Sequence, residues 1–330
     1  MGTLTITGTI DLQQFWPNGK SDADTTKIII DVSRGGVQYR EGRTARARRK
    51  SVYDTAFAKV QGKMKPVIRD GKITVRLQGI DAPELHVRPK PQPSLGSLKG
   101  TGLSRDYRQH QAETATVRLG KFLASRKSDP LGCRFTSELD HDEGPAAAID
   151  SYGRFVGNIL VGSVDVNLWL LEHGLAIIAL YNSMSRSELD DCVTAWNKGK
   201  SRGIARHHTK QIIRFDPSLL VRPKGSQLVD EGARKFILPK LFRRQCTWYA
   251  YRKAGLLSDD FQPFLQRSDE KDRVFELNEI LTGGLNSARS QPFSRCVERG
   301  RRLLCKPEQI VFQEDQSMLY DQRGRPITSW

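Results

Sequence analysis

The sequence predicts an α+β fold, in which a five-stranded β-barrel carries three helices and is followed by a small mixed α/β domain. Three observations predict it. Short segments with the alternation or the apolar runs of β-strands recur through residues 4–180, and amphipathic segments with helical spacing lie among and after them. The composition then changes near residue 207, where Pro217, Pro223 and Gly225 are typical of a linker. We therefore expect a barrel domain at residues 1–206, a linker at 207–232 and an accessory domain at 233–330.

The elements of the barrel follow from local patterns. Predicted strands occupy residues 4–10, 28–32, 74–78, 133–139, 155–160 and 175–180, and predicted helices occupy residues 105–125, 166–173 and 185–203. The last helix begins with a capping box of Ser185 and Glu188. Short strands with interleaved helices in about this number are typical of an oligonucleotide-binding barrel.

The stretch Thr74–Glu84 carries the first candidate site. An alternating strand presents Arg76 on one face and breaks at Gly79 into a turn that holds Asp81 and Glu84. A guanidinium that grips an anion, beside carboxylates that hold a metal ion and activate a water, suits a reaction on a phosphate. The same residues also fit the start of a helix, with Asp81 as the cap and Glu84 three residues later. Both interpretations stay open at this point.

Two further charged turns accompany this stretch. Asp22 and Asp24 lie on a turn before a buried strand, where they either coordinate a hard cation or make local turn hydrogen bonds. The segment Asp150–Leu160 is a tight turn into a strand, and it presents a second arginine, Arg154.

The chain is strongly basic. Its net charge of +16 and pI near 9.8 favour a polyanionic partner, above all nucleic acid. Residues 31–70 hold eleven Lys or Arg against four Asp or Glu, and the run includes Arg46, Arg48 and Arg49. This basic insertion, residues 31–72, is either a clamp on the phosphate backbone, with salt-dependent binding, or a solvated loop without specific contacts.

Taken together, these segments resemble the staphylococcal nuclease-like (thermonuclease) family over about residues 3–206. The matching segments are Asp22-Ala23-Asp24-Thr25, Val75-Arg76-Leu77, Ile80-Asp81-Ala82-Pro83-Glu84, the turn at Asp150–Arg154, the helix and strand at 166–179 and the closing helix. Their order and pairing make the resemblance specific. It implies a Ca²⁺-dependent phosphodiesterase on a barrel fold, acting on DNA, RNA or both with little sequence preference.

The resemblance also implies the ligands of a metal ion. Asp24 and Asp81, with the main-chain carbonyl of Ala82, would hold one Ca²⁺, and Asp22 would reach it through water. Carboxylates, carbonyls and waters in loose geometry suit Ca²⁺, which the resemblance implies ahead of Mg²⁺ or Mn²⁺.

It implies three catalytic residues as well. Glu84 would orient or deprotonate the attacking water, while Arg76 and Arg154 would hold the scissile phosphate from two sides. Guanidiniums can match the charge of a pentacoordinate phosphorane with two hydrogen bonds each. Tyr152 matches a substrate-contacting tyrosine of the family, although a half-buried aromatic at a strand end is an alternative interpretation.

The chain also departs from the family pattern. Its basic insertion is far longer than the corresponding loop of the short members. Where the family has a pair of tyrosines after the strand at 175–180, this chain has Leu180, Tyr181 and Asn182, so Tyr181 is the candidate substrate contact. Because the family includes non-catalytic copies of the barrel, a nucleic-acid-binding scaffold is the competing function. The complete set of charged positions favours catalysis.

The accessory domain carries mixed signals. Residues 245–254 and 272–281 are predicted helices, and residues 309–313 and 317–320 a closing hairpin. Residues 243–253 mix aromatic side chains with cations, which predicts either base stacking with phosphate contacts or a helix with a buried aromatic face. The partner of this domain would be nucleic acid or a protein. A hydrolase centred on Cys246 is disfavoured, because that chemistry needs a downstream histidine and none follows His208.

The sequence also bears on location. No apolar run approaches the length of a membrane span, and the N-terminus lacks the pattern of a secretion signal. We therefore expect a cytoplasmic protein without a membrane partner, with export as a toxin by a non-classical route as an alternative.

Overall fold

A computed structural model describes residues 2–42, 44–60, 62–126, 130–139, 143–211, 235–268, 272–315 and 317–330. Its strands are β1 (Gly2–Ile10), β2 (Thr25–Ile30), β3 (Val37–Glu41), β4 (Arg48–Arg49), β5 (Phe57–Val60), β6 (Lys63–Pro66), β7 (Ile68–Arg69), β8 (Lys72–Leu77), β9 (Ile80–Asp81), β10 (Leu131–Leu139), β11 (Phe155–Val161), β12 (Val164–Asp165), β13 (Ile177–Ile178), β14 (Leu180–Tyr181), β15 (Arg273–Glu276), β16 (Gln291–Pro292), β17 (Val297–Glu298), β18 (Arg302–Leu303), β19 (Ile310–Phe312), β20 (Leu319–Tyr320) and β21 (Pro326–Ile327). Its α-helices are α1 (Ala112–Ala124), α2 (Val166–Glu172), α3 (Arg186–Gly199), α4 (Pro239–Lys253), α5 (Phe261–Ser268) and α6 (Leu277–Gly283). None of the helices in these ranges is long and apolar enough to span a bilayer.

Five strands close into a barrel. They follow the order β10-β11-β8-β2-β1, and β1 returns to β10 along its whole length, from Gly2 opposite Leu139 to Ile10 opposite Leu131. Every second residue of β1 and of β10 is buried, as expected when one face of each strand lines a core. The predicted α+β fold with a five-stranded barrel is confirmed.

The strand β8 positions the first candidate site. Its Arg76 lies opposite Thr25 of β2 and Val156 of β11. After β8, Gly79 has a φ of +77°, which a residue without Cβ adopts freely. The turn then leads into β9, which pairs with β13. No helix begins at Asp81, since α1 starts only at Ala112, so the helix-start interpretation is wrong.

The three predicted barrel helices are present, and α1 alone starts well after its predicted position. The capping box of Ser185 and Glu188 opens α3 as expected. By contrast, α1 begins seven residues after the predicted residue 105, because Gln111 at its N-cap adopts a left-handed conformation with φ of 70°.

Part of the basic insertion is built into the sheets. Strand β3 pairs with β1 outside the barrel, β5 and β6 form a hairpin, and β7 pairs with β8. Tyr53 between β4 and β5 is fully buried, and its hydroxyl donates to the Pro145 carbonyl at 2.8 Å. These contacts fix the course of the insertion across the barrel.

The C-terminal residues 235–330 form the mixed α/β unit that was predicted, with two local corrections. The expected hairpin at 309–313 and 317–320 is wrong, because β19 pairs with β14 and β15 whereas β20 pairs with β5 and β21. The expected helix at 272–281 is strand β15 followed by α6. The predicted linker lies outside the described residues from 212 onward. A single hydrophobic cluster includes buried residues of both the barrel and this unit.

Candidate functional site

The predicted charged residues meet where β2 begins and where β8 and β9 end. Arg76 lies at the centre: its Nη1 donates to Asp24 Oδ2 at 2.5 Å, and its Nη2 donates to Asp81 Oδ1 at 2.9 Å and to the Ile80 carbonyl at 3.2 Å. Asp24 Oδ2 also accepts from the backbone N–H of Ala82 at 2.9 Å. Both aspartates are almost fully buried. Because a buried carboxylate needs a paired charge, Arg76 holds the two aspartates in place.

Glu84 follows β9 and joins the same cluster. Its side chain is 12% exposed, and its backbone N–H donates to Gln109 Oε1 at 3.2 Å. The pKa of Glu84 is raised to about 7: burial is the largest cause, the charges of Asp81 and Asp24 add to it, and two arginines oppose it. A carboxylate that titrates near neutrality is well suited to accept a proton from water.

A second arginine in the cluster comes from the C-terminal unit. From α4, Arg243 donates through Nη1 to Asp81 Oδ1 at 3.2 Å, through Nη2 to Asp81 Oδ2 at 3.3 Å, and through Nη1 to Glu84 Oε1. Burial alone would raise the pKa of Asp81, but Arg243 and Arg76 outweigh burial and hold this pKa below its ordinary value. The side chain of Arg243 is 35% exposed, so the cluster is open to solvent beside it.

Sequence reasoning missed Arg243 as a site residue. It did place this arginine in a segment of mixed aromatic and cationic residues, but no spacing ties one of 53 Lys and Arg to a carboxylate 162 positions away. Only the docking of α4 on the barrel reveals the contact.

Asp22 is a buried carboxyl group of the site with an unpaired oxygen. Its Oδ1 is buried with no hydrogen-bond partner. Burial raises the pKa of Asp22 well above its ordinary value, and the charges of Asp24 and Glu84 raise it further. The cluster therefore holds four carboxyl groups against the guanidiniums of Arg76 and Arg243, and an additional cation would lower the raised pKa values of Asp22 and Glu84 by favouring their ionised forms.

The donor set fits a hard cation such as Ca²⁺, which prefers oxygen ligands. Among the described residues, no three His, Cys, Asp or Glu side chains are arranged to hold a metal ion. The predicted ligand set has only two direct side-chain ligands, Asp24 and Asp81. The carbonyl of Ala82 would be the third protein ligand, and water would fill the remaining positions. The unpaired oxygen of Asp22 is available to such a water.

Arg154 lies beside the cluster, linked to it through Thr25. Its Nε donates to Asp150 Oδ2 at 2.7 Å and its Nη1 to Thr25 Oγ1 at 3.2 Å, while Thr25 Oγ1 donates to Asp24 Oδ1 at 3.2 Å. The Arg154 guanidinium carbon lies 5.2 Å from the ring centre of Tyr152. Tyr152 is 57% exposed, so the half-buried interpretation is wrong and this ring is accessible to a ligand.

Tyr181 adjoins the cluster, whereas Arg46, Arg48 and Arg49 of the basic run lie at the surface. Burial raises the pKa of Tyr181, and Arg76 and Asp81 are among the charges that act on it. Arg46, Arg48 and Arg49 are all exposed, and Arg49 pairs with Asp54 at 3.0 Å. In the part of the chain that the structure describes, no ion pair joins these three arginines to the carboxylates of the cluster.

Cys246 does not provide a second reactive centre. It is fully buried in α4, and burial raises the pKa of its thiol well above the ordinary value. A thiol in this state is a poor nucleophile.

Comparison with known proteins finds a family that is similar to part of the chain. Residues 74–204 match the family model described as staphylococcal nuclease homologue. The matched range contains Arg76, Asp81, Glu84 and Arg154, whereas Asp22, Asp24 and Arg243 lie outside it. No curated protein matches the chain.

Proposed function

The chain contains a staphylococcal nuclease homologue domain at residues 74–204, and on this premise we propose that it is a Ca²⁺-dependent phosphodiesterase acting on DNA, RNA or both. One observation carries the proposal: Arg76 bonds to both Asp24 and Asp81, next to a buried Glu84 whose pKa is raised to about 7. This combination of a phosphate-binding cation, metal-binding carboxylates and a base is what phosphodiester hydrolysis requires.

The ligands of the metal ion would be Asp24, Asp81 and the main-chain carbonyl of Ala82, with Asp22 linked through water. When bound, Ca²⁺ would polarise the phosphate and stabilise the negative charge that develops on its oxygens. The chain's own part is to keep the ligands in place before binding, and the buried bonds of Arg76 to both aspartates do this.

Glu84 would accept the proton of the attacking water at a carboxylate oxygen. Its burial disfavours the ionised form and so makes the carboxylate a stronger base. The guanidiniums of Arg76 and Arg154 would hold the non-bridging oxygens of the phosphate, where charge increases toward the transition state. Tyr152, stacked beside Arg154, would contact the nucleotide next to the scissile bond.

A non-catalytic nucleic-acid-binding scaffold is the second candidate. The observation that favours it is the position of Arg243, whose guanidinium bonds to both Asp81 and Glu84. The net charge of +16 serves either function.

Glu84→Gln separates the two candidates. Purified protein is incubated with plasmid DNA and with a structured RNA in Ca²⁺, in Mg²⁺ and in chelator. We expect the wild type to cleave in Ca²⁺, and Glu84→Gln to lose about a hundredfold or more in rate, the range for a general base, with binding on a gel retained. Glu172→Gln is the matched control, since Glu172 pairs with Lys198 on the surface.

Two outcomes would contradict the proposal. Equal cleavage by wild type and Glu84→Gln would remove Glu84 from the mechanism. Retarded but intact nucleic acid under every condition would favour the scaffold.

A further inference from the structure

Arg243 donates hydrogen bonds to both carboxylate oxygens of Asp81, which are the atoms that would bind a metal ion. A carboxylate has about four lone-pair sites. Asp81 Oδ1 accepts from Arg76 at 2.9 Å and from Arg243 at 3.2 Å, and Oδ2 accepts from Arg243 at 3.3 Å. A metal ion that used the remaining lone pair of Oδ2 would lie next to the Nη2 donor of Arg243, and the two positive charges would repel each other.

The contact of Arg243 is held by the fold. Helix α4 and Ile237, two residues before it, are bonded to the segment that follows Glu84: Gln109 Nε2 donates to the Ile237 carbonyl at 2.6 Å, and the Lys90 N–H donates to Thr247 Oγ1 at 3.0 Å. The Gln92 N–H donates to the Tyr251 hydroxyl at 2.8 Å. These bonds lie on both sides of Arg243 along the C-terminal unit and fix the position of its Cα, so any exchange of its partners would have to come from rotation of its long side chain.

The consequence of the contact is an exchange of cations. Without metal, the guanidinium of Arg243 neutralises Asp81 and Glu84, which would otherwise be buried carboxylates next to Asp24 and Asp22. With metal, the ion supplies that charge and the guanidinium can turn toward solvent, since its side chain is already 35% exposed. The two states share the same carboxylates, and each cation therefore weakens the binding of the other.

We propose that Arg243 is a positioning residue of the nuclease site, which stands in for the metal ion between Asp81 and Glu84 and leaves Asp81 when the ion binds. The C-terminal unit thereby sets the metal affinity of the barrel. This inference rests on the proposed function in one respect, that Asp81 is a metal ligand.

Calorimetric titration of Ca²⁺ into the metal-free full-length protein tests the proposal. We expect Arg243→Gln to bind Ca²⁺ about tenfold more tightly than the wild type, as the loss of a competing hydrogen bond between charged groups implies. Ca²⁺ should also raise the melting temperature of Arg243→Gln by more than that of the wild type. Arg252→Gln is the matched control: it removes the same charge from α4, but Arg252 pairs with Asp260 at 2.7 Å.

Arg243→Lys keeps the proposal testable if Arg243→Gln does not fold. A single ammonium cannot bond to both oxygens of Asp81 in the fixed geometry of a guanidinium, so its Ca²⁺ affinity should lie between those of wild type and Arg243→Gln. Ca²⁺ affinity that is unchanged or lower in the Arg243 variants, relative to Arg252→Gln, would overturn the proposal.

The Ca²⁺ affinity measured in this experiment can be interpreted whether or not the protein cleaves nucleic acid. Tighter Ca²⁺ binding by the Arg243 variants without any cleavage by the wild type would support the exchange and refute the nuclease. Cleavage by the wild type with equal affinities would refute the exchange alone.

Discussion

Glu84 connects the chemistry of the site to the stability of the fold. Its pKa of about 7 in the folded protein is above the ordinary 4.5, so the folded state binds this proton more tightly than the unfolded state does. The stabilising contribution is complete below pH 4.5 and is lost as the pH rises through 7. We therefore expect the free energy of unfolding of the metal-free wild type to fall between pH 5 and pH 8 by about 1–3 kcal/mol more than that of Glu84→Gln.

Urea denaturation of both proteins at the two pH values gives this difference. Asp22, with its pKa raised, and Asp81, with its pKa lowered, are present in both proteins, so the difference reports Glu84 together with its effect on Asp22. An identical loss of stability in wild type and Glu84→Gln would show that Glu84 does not titrate in this range.

At the residue scale, proximity in sequence decided what could be predicted. Arg76, Asp81 and Glu84 lie within one strand and its turn, so the alternation and the break at Gly79 already bring them together. Asp24 required the pairing of β2 with β8, which the family resemblance supplied. Arg243 required the docking of a helix that is separated from the barrel by more than 30 residues, and no local pattern encodes such a contact.

At the element scale, the turn after β8 determines where Asp81 lies. Gly79 has a left-handed backbone, and a Cβ there would come within 2.5 Å of Cys192 Sγ and 3.2 Å of Met184 Cε. Gly71, just before the same strand, has a φ of +67° and no atom within 4 Å of an added Cβ. Substitution of Gly71 therefore tests backbone strain alone, whereas substitution of Gly79 tests backbone strain together with steric contact.

We expect Gly71→Ala to cost about 1 kcal/mol, the price of the left-handed conformation alone. Gly79→Ala should cost about 1–3 kcal/mol more, because it also overpacks the contact with α3. Chemical denaturation measures both costs. Similar values for the two variants would mean that α3 yields to the added methyl group and does not fix the turn.

The length of an element decided whether its position could be predicted from the sequence pattern. Long strands such as β1 and β10 have strict alternation, and α3 has a capping box, so each could be placed to within a few residues. The C-terminal strands are two to four residues long, too short for a period to be recognised. Their partners lie elsewhere: β19 pairs with β14 of the barrel region and β20 with β5 of the basic insertion. A hairpin was the natural prediction for two neighbouring strands, and it fails because distant partners complete each sheet.

At the scale of the whole molecule, these shared sheets make the C-terminal unit and the barrel dependent on each other. The ring of Trp330 stacks on Tyr39 of β3 at 4.4 Å between centroids, and one hydrophobic cluster contains Phe135 of the barrel together with Phe312 of β19. The cooperative unit of folding is set by such continuity of packing. We therefore expect a single calorimetric transition for the entire chain.

Two core variants test this expectation, one in the barrel and one in the C-terminal unit. Phe135 and Phe312 are both buried, and replacing either with leucine should cost about 1 kcal/mol or more through a small cavity. In a single cooperative unit, both Phe135→Leu and Phe312→Leu lower the same transition, by roughly 1–2 °C per kcal/mol for a chain of this size. Two separate transitions, each shifted by only one of the variants, would show that the barrel folds without the C-terminal unit. In that case α4 could leave the barrel without unfolding it. The hydrogen bonds of Arg243 to Asp81 would then depend on docking between two independently stable parts.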